Sequence, residues 1–241
     1  MTKIYDNYNV LPLGLYLDIL KINDDETLDD LDRQCAILSV LTGLSESDVM
    51  RLPLDEYAAL SAKLAFLSVD VPQPKRSIGK TILIGLRSYS VPHNPAKITT
   101  AQFVDFRTYA GQWKDGNRPV AELLSALLVP EGKEYAVGYE VEDVQRDIKE
   151  NMGTTSAFAL CAFFLTSWRR FIEASLSSLE RPLKKIEKKG NREKAEEIKR
   201  QIATVREALR LSGPGLTTLL PLPRVQILRG TLSGIWDASN S

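Results

Sequence analysis

A chain of 241 residues with 44% hydrophobic side chains has material for one large domain or two small ones, with a real core. Its 31 basic and 31 acidic residues cancel, so any attraction to DNA or an acidic membrane has to be local. One histidine and two cysteines take away the commonest acid–base catalyst, and they make a zinc site or a disulfide framework improbable.

Cys35 and Cys161 fall in CAILSVL and ALCAFFL, apolar helical settings where a thiol behaves as a small buried hydrophobe. A reducing cytosol is the compartment this suggests. The opening MTKIYDNYNV lacks the charged-then-apolar order of a signal peptide, and no run of about 18 apolar residues occurs, so neither export by that route nor a membrane span is expected.

Residues 1–70 read as an acidic helical region, with 13 acidic residues against 5 basic. Pro12 opens a first helix carrying Leu13, Leu15, Tyr16, Leu17, Ile19 and Leu20. Thr27 is the expected cap of a second, whose Leu28, Leu31, Cys35, Leu38 and Leu41 recur at three and four and which Gly43 ends. The acids Asp24, Asp25, Glu26, Asp29, Asp30 and Asp32 lack the alternating ligands and central glycine of a calcium loop. They read as the acidic start of that helix, favoured by its dipole. Ser45, with Asp48 three positions on, approximates a capping box and starts a short helix running to Leu52. Pro53 opens the next, with Leu54, Tyr57, Leu60, Leu64 and Leu67 along one side.

Residues 71–98 read as a linker with a short strand or a small β hairpin. Within them Gly79-Lys80-Thr81 has the ending of a phosphate-binding loop. The position that needs the first glycine holds Pro74, with no N–H to offer, and Thr81 to Leu86 is β-branched and strand-like, so nucleotide binding is not expected. His93, between two prolines in SVPHNPAK, reads as a solvated loop histidine.

Residues 99–180 form the expected helical core region. Thr99 or Thr100 caps a helix that turns Phe103, Val104, Phe106 and Tyr109 inward and ends at Gly111. Arg118 to Leu128 forms a short apolar helix, and EYAVGYEVEDV is either an edge strand or a loop entering a helix. From Thr154 the pattern is long and helical, with Phe158, Cys161, Phe164, Leu165, Trp168 and Ile172 spaced for burial.

That stripe continues through Leu176, Leu179, Leu183 and Ile186 as a heptad seam, with Pro182 expected to kink or restart the helix. After a turn at Lys188 to Asn191, Ile198, Ile202, Val205 and Leu209 run back, so residues 181–212 are expected to form a basic antiparallel hairpin arm. Positions 181–210 carry 11 basic residues against 5 acidic. The arm is either a solvated coiled coil, docked on the acidic region or free, or a binding arm for an acidic protein. Nucleic acid is the least favoured partner, because no aromatic side chains interleave the charges. Residues 213–241 form a proline-rich apolar tail lying along its own domain or on a partner. The fold expected is thus mostly α, with a small β hairpin or strand insert and a long C-terminal helical hairpin.

No GxSxG, HExxH or CxxC constellation occurs, and no enzymatic role, cofactor or metal is expected. The stretch CAILSVLTGLSESDVMRLPLDEYAALSAKLAFL resembles the bacteriophage tail assembly chaperones. ITTAQFVDFRTYAG, VAELLSALLVP and ALCAFFLTSWRRF are similar to phage tail-region proteins with an FxDF helix ahead of an aromatic FF helix. The resemblance implies a non-enzymatic factor of the infected host cytoplasm whose partner is the helical tape-measure protein. A structural subunit retained in the virion and a nucleic-acid-binding factor are the alternatives, and a homo-oligomer is left open. The expected partner-binding residues are Leu176, Leu179, Ile202 and Val205 if the seam is shared, with Lys184, Lys185, Lys188, Lys189 and Arg192 as the cationic set.

Overall fold

A computed structural model describes residues 5–72, 78–112, 118–188 and 192–211. Among them the protein is mostly helical, with one three-stranded antiparallel sheet. The described residues divide into two compact units, one of residues 5–72 and 147–157, the other of 78–146 and 158–211.

The first unit starts with α1 (Leu13–Asp24), whose Leu13, Tyr16, Ile19 and Leu20 are buried, and which packs on α2 (Asp30–Thr42). The cap of α2 is Asp29, accepting from the Asp32 N–H at 2.8 Å, rather than Thr27, which donates its own N–H and hydroxyl to Asp25. A carboxylate at the positive end of the helix gains from the dipole as well as the bond, which favours Asp29 over a neutral hydroxyl. The acidic run is therefore split. Asp29, Asp30 and Asp32 open α2, whereas Asp24 and Asp25 close α1. Gly43 ends α2 at φ 73°, a left-handed conformation that suits glycine.

Ser45 caps α3 (Glu46–Val49), which stops short of Leu52, and its hydroxyl donates to Asp48 at 2.6 Å. Pro53 precedes α4 (Leu54–Lys63), followed by a 3-10 turn over Leu64–Ser68 that buries Leu64 and Leu67. The second part of α7 (Val141–Asn151) and the first turn of α8 (Thr154–Lys188) complete this unit. Between those helices, the Leu13 N–H donates to the Met152 carbonyl and the Thr154 N–H to the Leu11 carbonyl, both at 2.9 Å. Tyr8 meets Tyr16 and Phe66 edge-on, and its hydroxyl donates toward the carbonyls of Val69 (2.9 Å) and Leu67 (3.2 Å).

In the second unit β1 (Thr81–Ile84) and β2 (Arg87–Ser90) form a hairpin, and β2 also pairs with β3 (Val129–Pro130). Gly85 and Leu86 make its two-residue turn, with Gly85 at φ 58° in the first central position, where a type II′ turn takes glycine. The segment expected as linker or hairpin is thus a hairpin inside a sheet. Thr81 opens β1 instead of the helix a phosphate loop requires; Pro74 lies outside the described residues. His93 is exposed but engaged, with Nε2 2.9 Å from the Gly79 carbonyl oxygen and its ring against Phe163.

α5 (Thr100–Gln112) begins with a full capping box. The Gln102 N–H donates to Thr99 Oγ1 and the Thr99 N–H to Gln102 Oε1. The helix passes through Gly111, and Val104 is exposed, while Phe106 is buried and Phe103 stacks on Trp168 with centroids 5.2 Å apart. α6 (Val120–Ser125) buries every residue except the half-buried Glu122. Residues 131–140 form the loop entering α7, so the ambiguous EYAVGYEVEDV resolves as loop and helix.

α8 runs 35 residues and continues through Pro182 without a restart. The ring removes the bond that the Ser178 carbonyl would receive; a long helix supported on either side tolerates one such loss. α9 (Arg192–Leu211) follows after three residues, forming the C-terminal helical hairpin.

Candidate partner-binding surface

The hairpin residues differ in environment. Leu176 and Leu179 are half-buried on α8, and Ile202 is buried on α9 together with Ala195, seven positions before it. Arg192 is exposed. Lys184, Lys185, Lys188 and Val205 lie on the helices, but their side chains fall outside the described residues, as does all of Lys189 and the tail from 212 onward. Exposed Glu193, Glu196 and Glu197 alternate with the cations of α9, and Lys199 pairs with Glu196 at 3.0 Å. The described part of α9 therefore presents mixed charge rather than a track for phosphates.

A polar cleft of about 600 Å³ lies in the second unit at the start of α7, lined by Asp105, Tyr109, Tyr139, Glu140 and Asp143 among others. Tyr135 donates to Asp105 Oδ2 at 2.7 Å. Burial, then that carboxylate, raises the Tyr135 phenol far above its ordinary range, so it holds its proton and serves as a fixed donor. Among the described residues no group of three or more His, Cys, Asp and Glu could hold a metal ion. No helix among them is long and apolar enough to cross a membrane.

The apolar surface of the first unit stands out against this. α2 and α4 meet where the Cys35 thiol lies 3.6 Å from the Met50 sulfur and within reach of the Tyr57 hydroxyl. Both cysteines are free and buried, as their settings in the sequence suggested. Burial pushes the Cys35 thiol above its usual value, and the carboxylates of Asp32, Glu46 and Asp29 add to the shift. Tyr57 is pushed up to about 12, by burial first and then by Cys35.

Around that junction three large apolar side chains face solvent. Leu31, one turn before Cys35, is 52% exposed; Met50 is 56% exposed, and Leu54, one turn before Tyr57, is 58% exposed. Periodicity assigned Leu31 and Leu54 to buried stripes, and the structure leaves both uncovered. Met50 carried no signal in the sequence, because it sits in the turn after α3, where no period applies. A rim of exposed carboxylates, Asp30, Asp32, Glu46 and Asp55, surrounds them in sequence. Scattered apolar residues on a surface are ordinary; here Met50 sits against Cys35, and Leu31 and Leu54 each lie one helical turn from the Cys35 and Tyr57 side chains.

No family model, curated protein or solved structure matches the chain.

Proposed function

We propose that the protein is a non-enzymatic assembly chaperone of a bacteriophage tail, which covers the apolar face of an unassembled helical partner, the tape-measure protein, until that partner polymerises. One observation carries this reading. The segment CAILSVLTGLSESDVMRLPLDEYAALSAKLAFL, which bears the resemblance, folds as the greater part of α2, then α3, α4 and the 3-10 turn; it holds the uncovered Met50 and Leu54, and Leu31 lies four residues before it in the first turn of α2.

The mechanism is reversible burial. Apolar contact is worth about 25 cal/mol per Å², so covering a few hundred Å² gives several kcal/mol, whereas each exposed ion pair adds roughly 0–1 kcal/mol. Binding of that strength keeps a sticky helix soluble and still allows release once assembly offers a larger interface. The site of action is the infected host cytoplasm.

Co-expression with a tape-measure protein encoded in the same genome tests this. The partner should be soluble and co-purify with the parent chain, and Leu54→Asp should return it to the insoluble fraction. The chain should be missing from purified particles. Recovery at fixed stoichiometry in virions would instead make it a structural subunit.

A further inference from the structure

We propose that the Leu31, Met50 and Leu54 face of the first unit seats a basic amphipathic helix of its partner, rather than an extended strand or an acidic one. This rests on the chaperone reading above and adds to it the site and the chemistry of the helix recognised.

Charge complementarity carries the choice. Between positions 29 and 57 the chain has seven acidic residues and two basic ones. Of the two bases, Arg33 is committed: Nη1 pairs with Asp30 at 3.0 Å and Nη2 donates to the Leu28 carbonyl at 2.9 Å. Arg51 is the other, and it is exposed beside Met50. The acids Asp32 and Glu46 are close enough to the Cys35 thiol at the centre of the face to act on it electrostatically. An apolar centre within a stretch whose net charge from 29 to 57 is −5 matches a helix with leucines on one side and lysines or arginines flanking them, and it repels the same helix carrying glutamates.

The shape of the face points to a helix. Its apolar side chains come from the first turns of α2 and α4 and from the turn between α3 and α4, and the described residues of the first unit contain no strand for an extended peptide to pair with. Rows of side chains on two packed helices are the surface against which a third helix docks by ridge-into-groove packing.

The test uses the full chain with methyl-labelled methionine. Met50 reports on the face, and the buried Met152 reports on the intact fold. The probe is a synthetic helical peptide of leucine and lysine, compared with the same peptide carrying glutamate in place of lysine. Adding the basic peptide should shift the Met50 methyl signal saturably while Met152 stays put, and the acidic peptide should shift neither. Affinity should weaken about tenfold as salt rises from roughly 50 to 500 mM. Leu31→Glu and Leu54→Glu should each weaken binding at least tenfold with the Met152 signal unchanged. Equal binding of the acidic peptide, undiminished binding by both variants, or an unmoved Met50 overturns the proposal. So does a Met50 shift that depends on protein concentration alone, which would make a second copy the occupant. A parent chain that solubilises the tape-measure protein while ignoring the basic peptide would retain the chaperone reading and sink this inference alone.

Discussion

Gly153 is where the backbone tolerates least. A β-carbon there would overlap the Asn9 carbonyl oxygen and lie 3.0 Å from the carbonyl carbon behind it, both of them backbone atoms without a rotamer to yield. Restoring ordinary contact at about 3.5–4 Å requires the segment before α1 and the turn before α8 to part by roughly 1 Å or more. That stretches the Thr154 N–H bond to Leu11 and the Leu13 N–H bond to Met152 from 2.9 Å to beyond bonding distance. Each net bond is worth about 1 kcal/mol, and groups left buried and unsatisfied cost about 1–3 kcal/mol each. Leu11 is fully buried and Met152 nearly so, so water does not replace the lost partners. Against this, alanine gains about 0.4–1 kcal/mol by restricting the unfolded chain. Gly153→Ala should therefore destabilise the protein by roughly 3–5 kcal/mol in urea unfolding followed by far-ultraviolet circular dichroism. Gly111→Ala, inside α5 with open space at its β position, should stabilise by about 0.5–1 kcal/mol in the same assay. A Gly153→Ala midpoint within about 1 kcal/mol of the parent refutes the close approach.

The tyrosines give an alkaline limit. Tyr57 is raised from 10.0 to about 12, and Tyr8 and Tyr135 are raised further, in each case chiefly by burial. Above pH 10 the unfolded chain loses these protons while the folded chain keeps them, so stability is complete below pH 10 and falls as pH rises toward 12 and beyond. Tyrosinate absorbance should rise together with unfolding, and Tyr57→Phe should make the fall in stability less steep. Loss of stability on approaching pH 10 from above would contradict the sign. Cys35 and Cys161 are both buried with raised thiol pKa values, Cys161 pushed up to about 12, so neither should react with a thiol reagent near neutral pH until urea unfolds the chain. Rapid labelling of folded protein would refute that burial. Pro182→Ala should return a hydrogen bond to the Ser178 carbonyl and raise the melting temperature, by an amount corresponding to about 1–3 kcal/mol. An unchanged melt would mean that the helix is already frayed there.

Helix existence was legible wherever periodicity and capping agreed. Gly43, Ser45 and Pro53 each mark an end in the sequence and do so in the structure, because these residues act through their own backbone or a bond three positions away. Thr27 misled because a hydroxyl competes poorly with the carboxylate two residues on, and local sequence does not rank two acceptable caps. The hairpin of β1 and β2 was readable from β-branched residues and Gly85, but β3 was not. Val129 and Pro130 join it from about 40 positions away, through a pairing that no local window contains. The Thr99 and Gln102 box shows the opposite case, a local signal present in the sequence that only the observed bonds make plain.

The candidate face was half legible for the same reason. A period of three and four states which residues share one side of a helix, but not how far along that side the core extends. Leu31 belongs with Cys35 and Leu38, and Leu54 with Tyr57, Leu64 and Leu67. Cys35, Leu38, Leu64 and Leu67 are buried, Leu28, Tyr57 and Leu60 of the same stripes are half-buried, and both exposed positions fall in the opening turn of their helix. A stripe that overruns its own core exposes apolar area with no return in folding energy, and the carboxylates beside it keep like-charged chains away. On the proposed reading another polypeptide supplies the cover, and Asp30, Asp32, Glu46 and Asp55 set the charge it must carry. Neutralising that rim while leaving the three apolar side chains in place should therefore broaden the set of helices bound before it weakens any one of them, because repulsion selects the partner and apolar area holds it.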